Sequence, residues 1–310
     1  MNVYYGETQC KEINKSKNIS CTNHAYFSSN GTYKCGVHCS KDKNRIKLPT
    51  NPNKIINYET ELKERKYIVD EYSKNNKENN IKGNVLVSKM YMMKNPDYIK
   101  GYLNVYPNYK QQNRKDGFGC MKLSPKSLGP VVHNMPFLPK ATTIENYHQF
   151  SKFWKFELDD NGNILEQYKL DRIKAYTAPP MRHKYDKKTL LQYNKNINIP
   201  EFSMYYDKDG NEYRYNYLQS RYFYCHFYES LVKVEPDFIA LKEMINMGCN
   251  LNICGYDGYN VVDNIMKHYK DISRPFGHEL VLYTMLTEEV DKYPWNIYYK
   301  ENKEIYANVI

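Results

Sequence analysis

The sequence predicts an α+β protein, in which a mostly helical main domain with a few short strands follows a small N-terminal module. Apolar residues recur at helical spacing in several segments after about residue 55, whereas the apolar runs that could form strands are short. Residues 1–48 are instead polar, carry Asn and Gly turn signals and contain four of the eight cysteines. A segment this small and polar needs a metal ion or disulfides in order to fold.

The cysteines of this module have the spacing of a metal site. Ten residues separate the first two cysteines, and a gap of thirteen residues leads to a Cys-x2-His pair. Thiolates and imidazoles are the usual ligands of tetrahedral structural zinc sites. We therefore expect one structural zinc ion, and ordinary thiols or two disulfides are the alternative. The expected ligands are Cys10, Cys21, Cys35 and His38, with His24 and Cys39 as the residues that could replace one of them.

The remaining four cysteines lie in apolar or aromatic surroundings, which is typical of buried thiols. No secretory signal or transmembrane run is recognisable, so we expect a reducing, intracellular compartment and no membrane partner. Tyr, Asn and Lys are abundant, and their A/T-rich codons suggest the genome of a large DNA virus. The expected location is therefore intracellular, which means the cytoplasm or, for a viral protein, the host cell or the virion.

The charge balance favours polyanionic or phosphate-bearing partners. Lys and Arg total 45 against 35 acidic residues, which gives a net charge of +10. A nucleotide ligand fits this balance, and so does DNA or RNA. One alternative function is therefore a non-enzymatic, zinc-containing nucleic-acid-binding protein, and another is a viral structural or assembly protein.

Three regions are expected along the chain. The metal module covers residues 1–48, a linker and a solvated helix cover 49–82, and the main domain covers 83–310. The expected elements are helices over 55–80, 144–154, 221–232, 236–247 and 279–288, strands over 83–87, 100–106 and 251–254, a loop over 117–139 and a turn over 159–163. Glu279 is expected at a helix start, where a carboxylate interacts favourably with the helix dipole.

The helix expected over Ile144–Trp154 carries an unusual set of side chains. Glu145, Gln149 and Lys152 are four and three residues apart and would share one helix face. A carboxylate and an amine buried together shift each other's pKa values, which is how acid and base groups are tuned. The alternative is an ordinary solvated face.

The pattern Glu-x-Tyr-x-Gln-x-x-Lys-Phe at residues 145–153 resembles the signature of the NADAR family, which is named for its link to NAD and ADP-ribose. Further landmarks over residues 84–290 occur in the family's order, among them Ser124-Pro125 and the basic segment around Arg182. The family's Asp-x-x-Trp-Gly element corresponds to the segment from Asp257, where Tyr259 replaces the Trp and the Gly is missing. The N-terminal module similarly resembles a small zinc module of viral and phage proteins.

The NADAR resemblance implies an N-glycosidase that acts on an ADP-ribosylated nucleobase or a related ribose-phosphate N-glycoside. Glu145 would stabilise the positive charge at the anomeric carbon or position water. Lys152 would attack as an amine and open the sugar through a Schiff base. Asp257 would orient the ribose hydroxyls or act as a second acid/base group, and a turn residue is the alternative role for it.

The same resemblance implies a binding site for an ADP-ribose-like or nucleotide ligand. Arg182 and Lys184 would hold phosphate groups, the first in a bidentate manner and the second as a point charge. Trp154 or Tyr256 would stack on a base. The alternatives are a surface charge for Arg182 and a core position for Trp154.

Overall fold

The computed structural model describes residues 3–14, 18–92, 95–183 and 200–309 of the 310-residue chain. The chain divides into two compact units, Met1–Lys66 and Tyr67–Ile310. Helix α1 (Pro52–Glu78) begins in the first unit and ends in the second, and Val69 is its one buried residue. This agrees with the solvated helix expected over residues 55–80.

The first unit is built from very short strands. Its strands are β1 (Ile13–Asn14), β2 (Ile19–Ser20), β3 (Phe27–Ser29), β4 (Thr32–Lys34) and β5 (Ile46–Lys47). β1 pairs with β2, and β3 lies between β4 and β5, all antiparallel. The buried side chains that cluster in its interior are those of Cys10, Cys21 and Cys35. The core of this unit is therefore a group of thiols, as expected for a module that folds around a metal ion.

The second unit contains a parallel sheet whose central strand is fully buried. Its strands are β6 (Val85–Lys89), β7 (Tyr102–Tyr106), β8 (Phe118–Gly119) and β12 (Asn250–Gly255), in the order β6-β12-β7-β8. β12 runs parallel to both neighbours, and all six of its residues are buried. Such continuous burial is typical of a parallel strand that is covered on both faces.

A second sheet and a series of helices complete this unit. The antiparallel sheet contains β9 (Lys152–Phe153), β10 (Phe202–Tyr206) and β11 (Glu212–Tyr215), with β10 in the centre. The further helices of the described residues are α2 (Ile144–Phe150), α3 (Glu166–Thr177), α4 (Tyr217–Val232), α5 (Pro236–Asn246), α6 (Ile265–Lys270), α7 (His278–Thr287), α8 (Pro294–Glu301) and α9 (Lys303–Tyr306). Many tyrosines belong to the apolar core between these elements, so their abundance serves packing.

The expected α+β class is confirmed, whereas a mostly helical main domain is not, because two sheets form part of its framework. Helices α3, α6, α8 and α9 and strands β9, β10 and β11 were not predicted. The loop expected over 117–139 contains β8 and a 3₁₀ turn at Met121–Leu123. No helix in the described ranges has both the length and the apolar composition that crossing a lipid bilayer requires.

The helix expected over Ile144–Trp154 is shorter than predicted and ends at Phe150. The Ser151 hydroxyl donates a hydrogen bond of 2.7 Å to the carbonyl of Tyr147, which closes the last turn. Lys152 and Phe153 then pair with β10 opposite Ser203 and Phe202. Lys152 therefore lies on a strand, and its predicted place on a helix face is wrong.

Asn146 attaches the segment after α3 to helix α2. This asparagine is fully buried, and its amide group donates to the carbonyls of Ala175 and Ala178 at 2.9 and 2.8 Å. Its side-chain oxygen accepts a 2.8 Å hydrogen bond from the backbone N–H of Met181. The donor and the acceptor of one side-chain amide group thus both form hydrogen bonds that fix the chain just before Arg182.

We expect Asn146→Ala to lower the free energy of unfolding by about 1–3 kcal/mol, because it leaves several buried backbone groups without a partner. Chemical denaturation followed by circular dichroism measures this loss. The matched control is Asn161→Ala in an exposed turn, which should stay within about 0.5 kcal/mol of the unaltered protein. Equal stabilities of the two variants would contradict the anchoring role of Asn146.

Candidate functional site

The first unit brings the four predicted metal ligands together. One donor atom from each of Cys10, Cys21, Cys35 and His38 lies within 4.8 Å of all the others. His38 Nδ1 is 3.3 Å from Cys10 Sγ and 3.4 Å from Cys35 Sγ, and the Sγ atoms of Cys21 and Cys35 are 4.0 Å apart. A tetrahedral zinc site has edges of about 3.5 Å between nitrogen and sulfur and about 3.8 Å between two sulfurs. The four side chains could therefore bind a metal ion.

The neighbouring groups distinguish this ligand set from its alternatives. Cys39 Sγ donates to the carbonyl of Cys35 at 3.1 Å, and His24 is exposed, so neither belongs to the cluster. Burial raises the pKa of the Cys35 thiol. Hydrogen bonds from the His38 backbone amide and the Asn23 side chain lower it, and their combined effect is larger, so the pKa falls to about 7. N–H donors directed at a sulfur atom are the surroundings that a metal-bound thiolate requires.

In the second unit, a cavity of about 910 Å³ lies at the carboxyl ends of the parallel strands. Met92 follows β6, Asn108 and Lys110 follow β7, and Tyr256 and Asp257 follow β12, and all five line the cavity. In open sheets with parallel strands, ligands bind in the crevice at this edge. The sheet therefore places the cavity where a ligand site is expected.

Glu145 enters this cavity from the first turn of α2. Burial raises the pKa of its carboxyl group, and the positive charges of Lys126, Arg182 and Lys152 oppose that shift. Its Oε1 atom is buried and has no hydrogen-bond partner in the described part of the chain, and the guanidinium Nε of Arg182 is 3.7 Å away. Glu145 is thus a carboxyl group with raised proton affinity beside an exposed positive charge.

Lys152 reaches the same cavity from β9 and is half-buried. Burial lowers the pKa of its amine to about 8, and the charge of Arg221 lowers it too, whereas Glu145 and Asp257 raise it. About a tenth of such amines are neutral at pH 7, far more than for an ordinary lysine. Lys152 is therefore suited to act as an amine nucleophile.

Two further polar residues, the half-buried His148 and the buried Arg221, lie near Lys152. Burial lowers the pKa of the His148 imidazole well below its usual value, and the charges of Lys152 and Arg221 add to this effect. Arg221 donates to the backbone carbonyls of Tyr269, Asp271 and Arg274, and thereby holds the loop that leads to the cavity wall. This part of the cavity combines a neutral imidazole with a fixed positive charge.

Most of the predicted ligand-site residues meet in this cavity, which is lined by Glu145, Lys152, Arg182, Tyr256 and Asp257. Trp154 lies elsewhere: it is 8% exposed and packs against the edge of the His183 ring at 4.8 Å, so its ring does not face this cavity. Lys184 falls outside the described residues.

Sequence reasoning missed several contributors to the site, among them Lys110 and Lys126 in the cavity wall. Glu279 was expected only as a helix-start residue, yet it lines the cavity and is fully buried. Arg221 and Asn146 were not predicted at all. The one signal in the sequence for Glu279 is its place beside Gly277, because a glycine can mark a close approach of the backbone to another group.

Comparison of the chain with protein-family models, with curated protein sequences and with solved structures found no match.

We expect the Lys152 amine to react faster than that of Lys300, an exposed lysine outside the cavity, when limiting acetic anhydride is added at about pH 7. Mass spectrometry of the labelled peptides gives the ratio. Glu145→Gln should increase the ratio further, because it removes a negative charge that raises the pKa of Lys152. Labelling of Lys152 should also level off above about pH 8. A ratio that stays constant between about pH 7 and about pH 9 contradicts the lowered pKa.

Proposed function

We propose that the second unit is an N-glycosidase that acts on an ADP-ribosylated nucleobase or a related ribose-phosphate N-glycoside. The observation that carries this proposal is the pair of Glu145 and Lys152 in one cavity, with the pKa of the acid raised and that of the amine lowered. The resemblance of residues 145–153 to the NADAR signature supports the same reaction. An acid and an amine tuned in this way are suited to proton transfer and nucleophilic attack.

The reaction begins with the neutral amine of Lys152. Its lone pair forms a bond to the anomeric carbon while the carbon–nitrogen bond to the base breaks. The base nitrogen keeps the electron pair and takes up a proton from solvent, which the later hydrolysis of the protonated imine returns. The positive charge that develops on the sugar is stabilised by the carboxylate of Glu145. Glu145 also accepts the proton that the attached amine releases.

Ring opening and hydrolysis complete the cycle. The nitrogen of Lys152 forms a Schiff base with the anomeric carbon, and the ring oxygen takes the proton from Glu145. Water adds to the imine carbon and the amine leaves, which returns Lys152 and the free sugar. One water is consumed, the base gains hydrogen and the sugar gains a hydroxyl group.

Phosphate groups of the substrate are bound by the cations at the cavity. Arg182 is exposed and near Glu145, and Lys126 and Lys110 also line the cavity. Tyr256 is 37% exposed, which leaves its ring free to stack on a base. Asp257 raises the pKa of Lys152 and is a second acidic group within reach of the sugar.

We expect Lys152→Ala to abolish both the release of ADP-ribose from an ADP-ribosylated base and the adduct that borohydride traps. Glu145→Gln should keep ligand binding and lose rate by roughly 100-fold, because it removes the charge that stabilises the transition state. Chromatography of the released base measures turnover.

The matched control is Lys155→Ala, an exposed lysine three residues further along and outside the cavity, which should leave turnover unchanged. Undiminished turnover by Lys152→Ala refutes the nucleophile. If the unaltered protein releases no base, and instead binds DNA or RNA with an affinity that falls steeply with salt, the non-enzymatic alternative is favoured.

For the first unit, we propose that the bound ion is structural zinc. Three thiols and one imidazole nitrogen are the ligand set of Cys₃His zinc sites, and their distances fit a tetrahedron. Zinc binding supplies the folding free energy that the small apolar core of this unit lacks. All eight cysteines are free, which is compatible with a reducing intracellular compartment.

We expect elemental analysis to find one zinc ion per chain. Chelation should unfold the first unit and leave the second folded, because the four ligands belong to the first unit alone. Cys21→Ser should lose the ion. Cys39→Ser is the control and should keep it, since Cys39 bonds to a backbone carbonyl and not to the ligand atoms. Purified protein without stoichiometric zinc contradicts this assignment.

A further inference from the structure

His148 brings an imidazole with two unused ring nitrogens to the cavity. It lies in the last turn of α2 and forms part of the cavity wall. Neither Nδ1 nor Nε2 forms a hydrogen bond with a residue that the structure describes, and neither atom is closed off from solvent. A neutral imidazole has one N–H donor and one acceptor nitrogen. His148 therefore offers both to water or to a ligand in the cavity.

His278, the other histidine in the described cavity wall, directs both ring nitrogens at groups of the protein. Its Nε2 atom is 2.9 Å from the carbonyl oxygen of Pro107 and donates to it, because a carbonyl only accepts. Its Nδ1 atom is 3.3 Å from Oε2 of Glu279. Of the two histidines, His148 is thus the one that can exchange a proton without disturbing a polar contact within the fold.

The surroundings of the His148 ring place it beside the nucleophile of the proposed reaction. Its centroid is 4.5 Å from that of the Tyr224 ring on α4, and Glu145 lies one turn earlier on α2. Burial holds the pKa of the imidazole well below its usual value, and the charges of Lys152 and Arg221 lower it further. The ring is therefore unprotonated at neutral pH and can accept a proton there.

We propose that His148 is a second catalytic base, which takes the proton from the water that hydrolyses the imine on Lys152. The assignment rests on the proposed function, because it takes Lys152 to form that imine. An accessible imidazole nitrogen in the same cavity can hold this water by a hydrogen bond and remove its proton as the water attacks. The role also gives a use to a polar group that the fold itself leaves without a hydrogen bond.

The protons and electron pairs of this step balance. The water oxygen bonds to the imine carbon, the second electron pair of the carbon–nitrogen double bond returns to the nitrogen of Lys152, and one water proton goes to His148. His148 then protonates that nitrogen, the carbon–nitrogen bond breaks, and the proton of the new hydroxyl group passes through His148 to solvent. Addition of water removes the positive charge from Lys152, so the proton affinity of His148 rises in the step that needs it.

Oxygen exchange between water and ribose 5-phosphate tests this role without release of a base. In water labelled with heavy oxygen, reversible imine formation at Lys152 replaces the aldehyde oxygen of the sugar, and mass spectrometry measures the label after subtraction of the protein-free rate. His148→Gln should slow the exchange by roughly 100-fold, the usual contribution of a general base. Lys152→Ala should abolish it.

The matched control is His226→Gln. His226 is a half-buried histidine outside the cavity, and burial lowers its pKa as it does that of His148. This variant should exchange oxygen at the rate of the unaltered protein. An exchange rate that is also unaltered in His148→Gln assigns the water proton to another group and overturns the proposal.

Chemical rescue separates a base from a residue that only supports the fold. His148→Ala should lose exchange as His148→Gln does, and added imidazole should restore it, because the cavity of about 910 Å³ has room for a small base at the vacated position. Imidazole should not restore Lys152→Ala. If imidazole leaves the rate of His148→Ala unchanged, the loss is structural and the proposal is overturned.

The step at which His148 acts is visible during turnover of an ADP-ribosylated base. His148→Gln should still release a first equivalent of base and should accumulate the adduct that borohydride traps, because the imine forms but is hydrolysed slowly. A variant that loses base release and adduct together places His148 in an earlier step, and that result contradicts the proposal.

Failure of this proposal is distinguishable from failure of the glycosidase. A protein that releases base, but whose oxygen exchange is the same in His148→Gln, contradicts the role of His148 and leaves the glycosidase intact. A protein that releases no base, but exchanges oxygen in a way that requires Lys152 and His148, contradicts the glycosidase and leaves His148 as the base of imine hydrolysis. Exchange no faster than the protein-free rate contradicts an imine at Lys152 and, with it, this proposal.

Discussion

The site of the second unit depends on the buried strand β12. Because β12 pairs in parallel with both β6 and β7, the segments that follow all three strands emerge at the same edge of the sheet. These segments form one part of the cavity wall, and they include the acidic residue Asp257. The last residue of β12, Gly255, also packs against the Glu279 carboxylate. Strand β12 thus fixes the position of the cavity and, through Gly255, the close packing of backbone against the Glu279 carboxylate.

Burial at this edge brings the proton affinities of an acid and an amine closer together. Withdrawal from water raises the pKa of Glu145 and lowers that of Lys152, because in each case it disfavours the charged form. The mutual attraction of the two charges opposes both shifts without cancelling them. As the two pKa values approach each other, moving a proton between the groups costs less free energy. The same withdrawal keeps His148 neutral, so the cavity holds a neutral imidazole beside an exchangeable proton.

Local patterns in the sequence predicted some features well, and contacts between distant segments explain the rest. The cluster of Cys10, Cys21, Cys35 and His38 was predictable because the residue types and their spacing are typical of a metal site, and helix α5 was predictable because Pro236 and Gly248 mark its ends. The position of Lys152 on a strand was not predictable, because that strand forms only through pairing with Phe202 and Ser203, about fifty residues later. Glu279 was missed for a similar reason, since its enclosure depends on Gly255 in another element.

The distribution of unpaired buried groups argues that the cavity is a functional site. Packing defects would place such groups anywhere in a fold, and residues such as Arg172 do have unpaired atoms elsewhere. For carboxylates the pattern is different. In the ranges that the structure describes, every buried carboxylate oxygen without a hydrogen bond belongs to Glu145 or Glu279, and both line the same cavity. Buried carboxylate oxygens without hydrogen bonds destabilise a fold, and their concentration in one cavity supports its assignment as a candidate ligand site.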